Sequence, residues 1–496
     1  MDMTNLSELV GLLTPEISVS LFLVAIVIFD LIFNKDKKIL PFIALAGVAV
    51  TLFFVVSQYG EIAEPIKSGM ITVDKFGLYF KVLILISTVF VIFFTLSSDE
   101  IKASADRLGE YYTLMFGMML GMFMLVTATD LILIYLSLEL LSLSSYVLAG
   151  FTKLRSRSSE AALKYILYGA VSSGLMLFGI SLIYGLTGST NLYAINDYLL
   201  SSNGNVVILA LASVMIFAGI GYKISAAPFH FWTPDVYEGA PITITAYLSV
   251  ASKAAGFAML VRILYIGYVS VSDATGHWTV IEAFDWQMLL IVISIFTMTL
   301  GNFTALWQDN LKRMLAYSSI AHAGYLLLGV LVLSNQGLIA VLIYFFFYML
   351  MNLGAFYIVM LIANKTGSEN INEYDGLGYT SPFLGVALTI CLISLTGLPP
   401  TAGFIGKLYI FIALVDAKMI AVAVIALLNS VVSLYYYVRV LKHMFLTKAT
   451  ETTPVVKASS FEKIVLLALV IPILVFGVYF EPIINFAKNS LAGFGL

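Results

Sequence analysis

Four charged residues lie within otherwise apolar stretches of this sequence. Glu139 lies in LILIYLSLELLSLSSY, Lys223 in AGIGYKISAAPFHFW, Lys253 in TAYLSVASKAAGF and Lys407 in LTGLPPTAGFIGKLYIF. If these stretches cross a bilayer, each charge costs roughly 3 kcal/mol on insertion scales, and intramembrane charges of this kind usually mark ion or proton paths. The alternatives are a structural ion pair that fixes helix packing or, for Lys223, a side chain that snorkels to the surface. The pattern favours proton transfer.

The balance of these charges is uneven, because three are lysines and one is a carboxylate. Burial disfavours the charged form of a lysine, and Glu139 can compensate only one of them, for which Lys223 is the natural partner. At least one lysine is therefore expected to be neutral or close to switching near neutral pH, as a proton relay requires. His322, in AYSSIAHAGYLL, is a further candidate, with a satisfied core histidine as the equal alternative.

Prolines interrupt the helices that carry two of the lysines. Pro228 follows Lys223, and Pro399 and Pro400 precede Lys407. Each proline leaves the carbonyl four residues earlier without a helical donor, and a freed carbonyl beside an ammonium makes a polar pocket that water can enter. Two such breaks in corresponding halves of a chain indicate an internal repeat with transport sites at mid-membrane. The identity between the halves is too low to establish that repeat from the sequence.

The elements that position these residues must be membrane-spanning helices. Of the 496 residues 60% are hydrophobic and only 11% are charged, too few to cover a soluble domain. Apolar runs of about twenty residues recur, and they lack the alternation of barrel strands. We expect an all-α polytopic bundle of about fourteen helices, the twelfth broken. The predicted spans are residues 17–33, 39–56, 76–96, 111–127, 131–150, 161–184, 206–229, 242–268, 286–306, 316–333, 338–363, 383–415, 420–441 and 461–480.

The distribution of lysine and arginine predicts the orientation of the bundle. Loops after odd-numbered helices hold seventeen of the 26 Lys and Arg residues, whereas loops after even-numbered helices and the C-terminus hold five, Arg262 among them. The positive-inside rule then places the odd loops in the cytoplasm and both termini on the outer, periplasmic side of the inner membrane. The start, MDMTNLSELV, lacks a basic n-region, so the first hydrophobic segment is predicted to be a retained span.

Several kinds of site are excluded by what the sequence lacks. A single cysteine, Cys391, excludes an internal disulfide and a cysteine-ligated iron–sulfur or zinc centre. No glycine-rich loop stands between a strand and a helix, so no nucleotide site is expected. We predict no cofactor, metal or nucleic-acid site in this chain.

Four long motifs resemble a known family. KISAAPFHFWTPDVYEGAP, SVASKAAGF, NLKRMLAYSSIAHAGYLL and SLTGLPPTAGFIGKLY are similar to helices seven, eight, ten and twelve of subunit N of bacterial NADH-quinone oxidoreductase, respiratory complex I. The resemblance covers about 111–442, and the first hundred residues match only in hydropathy. The sister subunits L and M and related antiporters carry a histidine where this chain has SKAAG. Subunit M also has glutamate in place of Lys407.

The resemblance implies a fold and roles for the candidate residues. It implies a single transmembrane domain over 1–496, with helices one to three at 17–96, inverted five-helix repeats at about 111–268 and 286–441, and a last helix at 461–480. Glu139 and Lys223 would be the acidic–basic pair of helices five and seven. Lys253 would be the central lysine, Lys407 the terminal lysine, and His322 a residue of the polar axis.

The function implied is that of a proton-translocating membrane-arm subunit of a respiratory NADH:quinone oxidoreductase. NAD, FMN, iron–sulfur clusters and quinone would be bound by partner subunits, and the neighbours would be subunits M, K and J and the lipid bilayer. A stand-alone or multisubunit cation/proton antiporter subunit is the first alternative. A structural spacer whose polar residues only hold helices together is the second.

Overall fold

The computed structural model describes residues 10–33, 37–201, 205–270, 276–281, 285–449 and 455–494. Within these ranges thirteen helices are long and apolar enough to cross a membrane. The predicted all-α polytopic bundle is confirmed. The only paired strands among the described residues form a short hairpin, β1 (Ile66–Ser68) and β2 (Ile71–Val73).

The spans are numbered here in chain order, with two of them in two parts. They are α1 (Thr14–Ile32), α2 (Leu40–Glu61), α3 (Lys75–Ser97), α4 (Leu108–Thr127), α5 (Leu131–Ala149), α6 (Ser156–Thr187), α7a (Val206–Ile224), α7b (Trp232–Gly239), α8 (Ile242–Gly267), α9 (Trp286–Ala305), α10 (Leu311–Leu331), α11 (Asn335–Thr366), α12a (Pro382–Thr396), α12b (Ala402–Asp416), α13 (Ile420–Leu446) and α14 (Ser460–Val478). The two halves of the twelfth span, α12a and α12b, have 15 residues each, too few to cross a bilayer separately. Counted together as one broken span, they bring the total to fourteen. A further short helix, Glu481–Ser490, follows α14.

Both helix breaks use the same backbone device. The last helical residue is followed by a residue with positive φ, Ser225 (64°) after α7a and Gly397 (86°) after α12a. The next N–H then reaches back five residues, from Ala226 to the Gly221 carbonyl at 2.7 Å and from Leu398 to the Ile393 carbonyl at 3.3 Å. This pattern is a Schellman cap.

The prolines that predicted the two breaks therefore lie in the connecting turns and not at the ends of the helices. Pro228 and Pro400 each stand three residues after the left-handed residue. The predicted seventh helix, 206–229, was too long for this reason, since α7a ends at Ile224. Hydropathy continued past the break, whereas the chain had already turned at Ser225.

Two loops at corresponding places have the same hydrogen bonds. TGSTN (187–191) follows α6 and TGSEN (366–370) follows α11. In each loop the threonine hydroxyl donates to the serine carbonyl at 3.0 Å, and the asparagine N–H donates to the serine hydroxyl at 3.2 Å. Each glycine has a φ near +70°. The first loop then forms a β-bridge to Asp130, the N-cap of α5, and the second forms one to Asn310, the N-cap of α10.

These matched loops and breaks support an internal repeat that pairs α4–α8 with α9–α13. Helix packing agrees, because a Cβ added at Gly121 or Gly301 would lie 2.6 Å from the backbone nitrogen of Leu141 or Ala321. Small residues here let α4 approach α5, and α9 approach α10, backbone to backbone. Because each unit has five spans, an odd number, the second unit starts on the opposite side of the membrane from the first. The predicted boundaries of the repeats stay a prediction.

Two buried ion pairs attach α3 to its neighbours. Glu16 of α1 contacts Lys81 of α3 at 2.5 Å. Asp74, the N-cap of α3, accepts two hydrogen bonds from Arg262 of α8, at 2.6 and 3.0 Å. The charge count assigns Arg262 to a loop, and this is wrong, because Arg262 lies inside α8, within the predicted span 242–268, and is fully buried. Its guanidinium also donates to the Val126 carbonyl at 2.5 Å, so its burial is compensated on two sides.

Removing one charge of the Asp74–Arg262 pair should destabilise the fold more than removing both. Arg262→Met leaves a buried carboxylate unpaired, and should lower the free energy of unfolding by about 3–5 kcal/mol. Adding Asp74→Asn, which keeps the helix cap, should restore most of this loss. Thermal unfolding of the purified assembly would measure both variants. Equal losses in the single and the double variant would show that the pair does not stabilise the fold in this way.

Candidate functional site

The bundle buries the three predicted lysines and the histidine of the polar axis. Lys223, Lys253, Lys407 and His322 are each at most 3% exposed. Glu139 on α5 is half-buried, and one of its carboxylate oxygens, Oε1, is buried without a hydrogen-bond partner among the described residues.

Lys223 lies near the C-terminal end of α7a and points towards α5. Its ammonium donates to the Ser142 hydroxyl at 3.3 Å and lies 5.9 Å from the centre of the Tyr165 ring. Ser142 is one turn beyond Glu139 on the same helix. In the described part of the chain no ion pair joins Lys223 to Glu139. The two predicted partners are thus on facing helices, and a serine contacts the ammonium in place of the carboxylate.

The break after Lys223 is filled by an aromatic side chain. The Trp232 indole N–H of α7b donates to the Tyr222 carbonyl at 2.8 Å. The sequence predicts a polar pocket formed by the Ile224 carbonyl and the ammonium, whereas among the described residues the Lys223 ammonium donates to Ser142. The tryptophan closes this end of α7a against α7b.

Lys253 follows a π-helical segment, Leu248–Ser252, inside α8. Single π-turns within α-helices occur frequently at functional sites. The Lys253 ammonium donates to the Ser319 carbonyl at 2.9 Å and to its hydroxyl at 2.6 Å. The Tyr348 hydroxyl donates to the same serine hydroxyl at 2.8 Å. Lys253 thereby connects α8 to α10 and α11.

His322 is hydrogen-bonded through both ring nitrogens. Nδ1 lies 2.6 Å from the Tyr344 hydroxyl, and Nε2 lies 3.4 Å from the Tyr437 hydroxyl. The Tyr437 hydroxyl also contacts the Ser318 hydroxyl at 2.5 Å. A neutral imidazole donates from one nitrogen and accepts at the other. His322 is therefore a core residue with both nitrogens hydrogen-bonded. The same geometry, with a hydroxyl at each nitrogen, would let the ring take a proton from one tyrosine and give one to the other.

Lys407 on α12b reaches back across the break to α12a. Its ammonium donates to the Thr396 carbonyl at 2.7 Å and to the Ser430 hydroxyl at 2.8 Å. Thr396 lies four residues before Pro400, which has no N–H to offer it. The ammonium also lies 4.6 Å from the centre of the Tyr325 ring. Here the interrupted backbone contacts the charge directly.

Polar and aromatic side chains join Lys253 to Lys407. Ser319 and Tyr348 contact Lys253, and the Tyr348 ring lies 5.1 Å from the His322 ring. The His322 ring in turn lies 6.0 Å from that of Tyr325, which faces Lys407. Such a line can carry protons in steps when side chains or water close its gaps. Over the described ranges no group of three His, Cys, Asp or Glu side chains is placed to hold a metal ion, and the absence of a cofactor stays a prediction.

Comparison with known proteins identifies the family. The family model for NADH:quinone oxidoreductase/Mrp antiporter, TM, matches residues 128–433. NADH-quinone oxidoreductase subunit N 2 from Chloroherpeton thalassium is 46% identical, with 98% of this chain and 97% of the relative covered. NADH-quinone oxidoreductase subunit N from Chlorobium chlorochromatii is 44% identical, over 99% and 96%. This chain belongs to the subunit N family of the NADH-quinone oxidoreductases.

A chain of a solved structure shares the fold over nearly the whole length. A chain of respiratory complex I from Thermus thermophilus with bound aureothin matches with a TM-score of 0.77 at 29% identity, covering 96% of this chain and 99% of that one. The family expected from the motifs is confirmed, and the match extends through the first hundred residues, where the sequence had offered only hydropathy. The roles of the individual site residues stay predictions.

The hydroxyl groups of the site were not predicted from the sequence. Ser142, Ser319 and Ser430 contact the three lysines, and tyrosines of α10, α11 and α13 surround His322. Spacing was the available signal, because Ser142 is three residues from Glu139 and Ser319 three residues from His322. Such pairs share a helix face. Nothing in the residue types of 248–252 indicated the π-helical segment.

Gly397 offers a test of the contact between the break and Lys407. Its Cβ would lie 2.7 Å from Lys407 Cδ, so Gly397→Ala should displace the lysine from Thr396. A left-handed alanine costs roughly 1–2 kcal/mol, and misplacement by about 1 Å can cost up to roughly a hundredfold in rate. We expect proton pumping per assembled complex to fall by about tenfold or more.

The matched control is Gly367→Ala. Gly367 has a similar φ of 71°, but among the described residues no atom lies within 4 Å of its would-be Cβ. Both variants should lose comparable thermal stability, and only Gly397→Ala should lose pumping. Equal pumping in both variants would contradict a role for the Lys407–Thr396 contact.

Proposed function

We propose that this chain moves protons through Lys223, Lys253 and Lys407 in the membrane arm of an NADH-quinone oxidoreductase. One observation carries the proposal, namely how the buried cations of the bundle are compensated. The other buried lysine and arginine side chains in the described part of the chain each contact a carboxylate: Lys81 with Glu16, Arg262 with Asp74 and Lys312 with Glu369. Among the described residues, the three site lysines contact only hydroxyls, carbonyls and aromatic rings.

This difference separates structural from transport lysines. A carboxylate fixes a buried cation in its charged form, and removing either partner is strongly destabilising. A hydroxyl can accept a hydrogen bond from an ammonium and donate one to a neutral amine. The contacts of the three site lysines are therefore compatible with both protonation states, as a group that repeatedly gains and loses a proton requires.

The proposed path assigns a role to each candidate residue. Glu139 favours the protonated form of Lys223 through its negative charge. Lys253 exchanges protons with Lys223 on one side and, by way of Ser319 and Tyr348, with His322 on the other. Lys407 is the terminal group, and its proton is released to the outer side.

The rest of the assembly would supply the electron transfer. NAD, FMN, iron–sulfur clusters and quinone would be held by partner subunits, and this chain would carry out no redox chemistry itself. Subunits M, K and J are its proposed neighbours. The lysine and arginine distribution supports an inner-membrane orientation with both termini on the periplasmic side.

Lys223 tests the switching role. Lys223→Ala should leave the complex assembled and lower quinone-linked proton pumping, and Lys223→Arg should not restore it, since a guanidinium stays charged. Pumping would be measured in proteoliposomes as protons moved per NADH oxidised. Lys81→Ala is the control, because it should reduce assembly through the unpaired Glu16 and leave pumping per assembled complex normal. Full pumping by a normally assembled Lys223→Arg variant would contradict the proposal.

Glu139 tests the coupling across α5 and α7a. Glu139→Gln removes the negative charge that favours protonated Lys223, so pumping should fall at neutral pH and partly recover as the pH is lowered. The measurement is the pH dependence of pumping, with exposed Glu110→Gln as the control. If Glu139→Gln and Glu110→Gln both kept the original pH dependence, Glu139 and Lys223 would not be coupled.

A further inference from the structure

Tyr237, on α7b, is a buried polar residue that the path above does not use. Its side chain is fully buried, and its hydroxyl lies close to the Ser319 hydroxyl without completing a hydrogen bond of standard geometry among the described residues. Buried hydroxyls are nearly always bonded to protein or to internal water. The Lys253 ammonium lies 6.0 Å from the centre of its ring. The Tyr237 hydroxyl thus lies next to the serine hydroxyl to which the central lysine donates.

Charged residues on the same short helix face the other way. Asp235 accepts hydrogen bonds from Lys164 of α6 and from Arg313 of α10, both at 2.6 Å. Glu238 accepts a second bond from Arg313, at 2.9 Å. Asp235, Glu238 and Arg313 line a polar cavity of about 210 Å³ between α6, α7b and α10.

The cavity and the lysine lie on opposite sides of α7b. Asp235 and Tyr237 are two residues apart, which places their side chains about 200° apart around a helix. The charged side of α7b meets the end of α10 that follows the α9–α10 loop, on the side predicted to face the cytoplasm. The tyrosine side faces the interior of the bundle. The eight-residue helix is therefore a thin partition between a polar cavity and Lys253.

We propose that the Tyr237 hydroxyl is a further proton-transfer group, which connects this cavity to Lys253; the proposal rests on the proposed function. A protonated water on the cavity side gives a proton to the phenol oxygen as the original phenol O–H proton passes to the neutral Lys253 amine, through the Ser319 hydroxyl or one water. One O–H bond of the protonated water and the original phenol O–H bond break, while a new phenol O–H bond and a lysine N–H bond form. The phenol ends as it began, and one proton has entered the line. A phenol hydroxyl can both donate and accept, as this step demands.

A purely structural role for Tyr237 would reside in its ring. The ring packs against Trp232 at 6.1 Å and Phe356 at 6.3 Å. Tyr237→Phe keeps this packing and removes only the hydroxyl, and the neighbouring Ser319 hydroxyl keeps its hydrogen bonds with Lys253 and Tyr348. The substitution therefore separates the hydroxyl from the ring, and it should not lower stability.

The test compares Tyr237→Phe with Tyr247→Phe in the complete complex. The Tyr247 hydroxyl is also buried, but it pairs with Thr88 of α3 at 2.8 Å and lies outside the line of site residues. Tyr237→Phe should keep its thermal midpoint and lose proton pumping by about tenfold or more, within the range for a positioned acid–base group. Tyr247→Phe should pump normally. Pumping would be measured as protons moved per NADH oxidised in proteoliposomes.

Lys253→Ala, measured in parallel, separates a failure of the entry route through Tyr237 from a failure of the proposed function. If Lys253→Ala stops pumping while Tyr237→Phe pumps normally, the entry route through Tyr237 is wrong and the proposed function stands. If an assembled Lys253→Ala complex pumps normally, the proposed function itself fails. A lower thermal midpoint for Tyr237→Phe with unchanged pumping per complex would assign the hydroxyl to packing, and would also overturn the route.

Discussion

The cost of holding a positive charge away from water governs this bundle. The structure compensates that cost in two ways. At Lys81 and Arg262 a carboxylate from another element pairs with the cation. At Lys223, Lys253 and Lys407 hydroxyls and backbone carbonyls take its place. The first arrangement joins helices, and the second leaves the protonation state open.

The irregular backbone supplies what regular helices cannot. In an intact helix the Thr396 carbonyl would be bonded internally, and Lys407 would lose its main acceptor. The break after α7a has a different use, since Trp232 occupies the carbonyl there and the chain continues as the short α7b. The two halves of the chain thus share the same helix cap at their breaks, but different side chains contact the backbone there. Lys223 precedes its break, whereas Lys407 follows its own.

The spans, the family and the buried lysines could be read from the sequence because each depends on local composition or on long motifs. Hydropathy located fourteen spans, since a bilayer selects for length and apolarity alone. The count of loop lysines and arginines misplaced Arg262, although the hydropathy span 242–268 contains it, because an arginine in the last third of a helix looks like a loop residue. Hydropathy also extended the seventh helix past Ser225, since a left-handed serine has no compositional signature. The tyrosines around His322 and the serines on the lysines could not be assigned, because their partners lie on helices far away in the chain.

The π-helical segment of α8 has a consequence for how this subunit could change over time. A π-turn contains one more residue than the α-turn it replaces, within about the same rotation of the chain. Deleting a single residue between Leu248 and Ser252 would therefore let α8 close into a regular helix while the residues on both sides keep nearly the same facing. Lys253 would still point to Ser319, and Arg262 to Asp74. A deletion elsewhere in α8, with no π-turn to absorb it, would rotate everything after it by about 100°. This five-residue stretch is thus the place in α8 where a lineage could lose one residue and keep the contacts of the site.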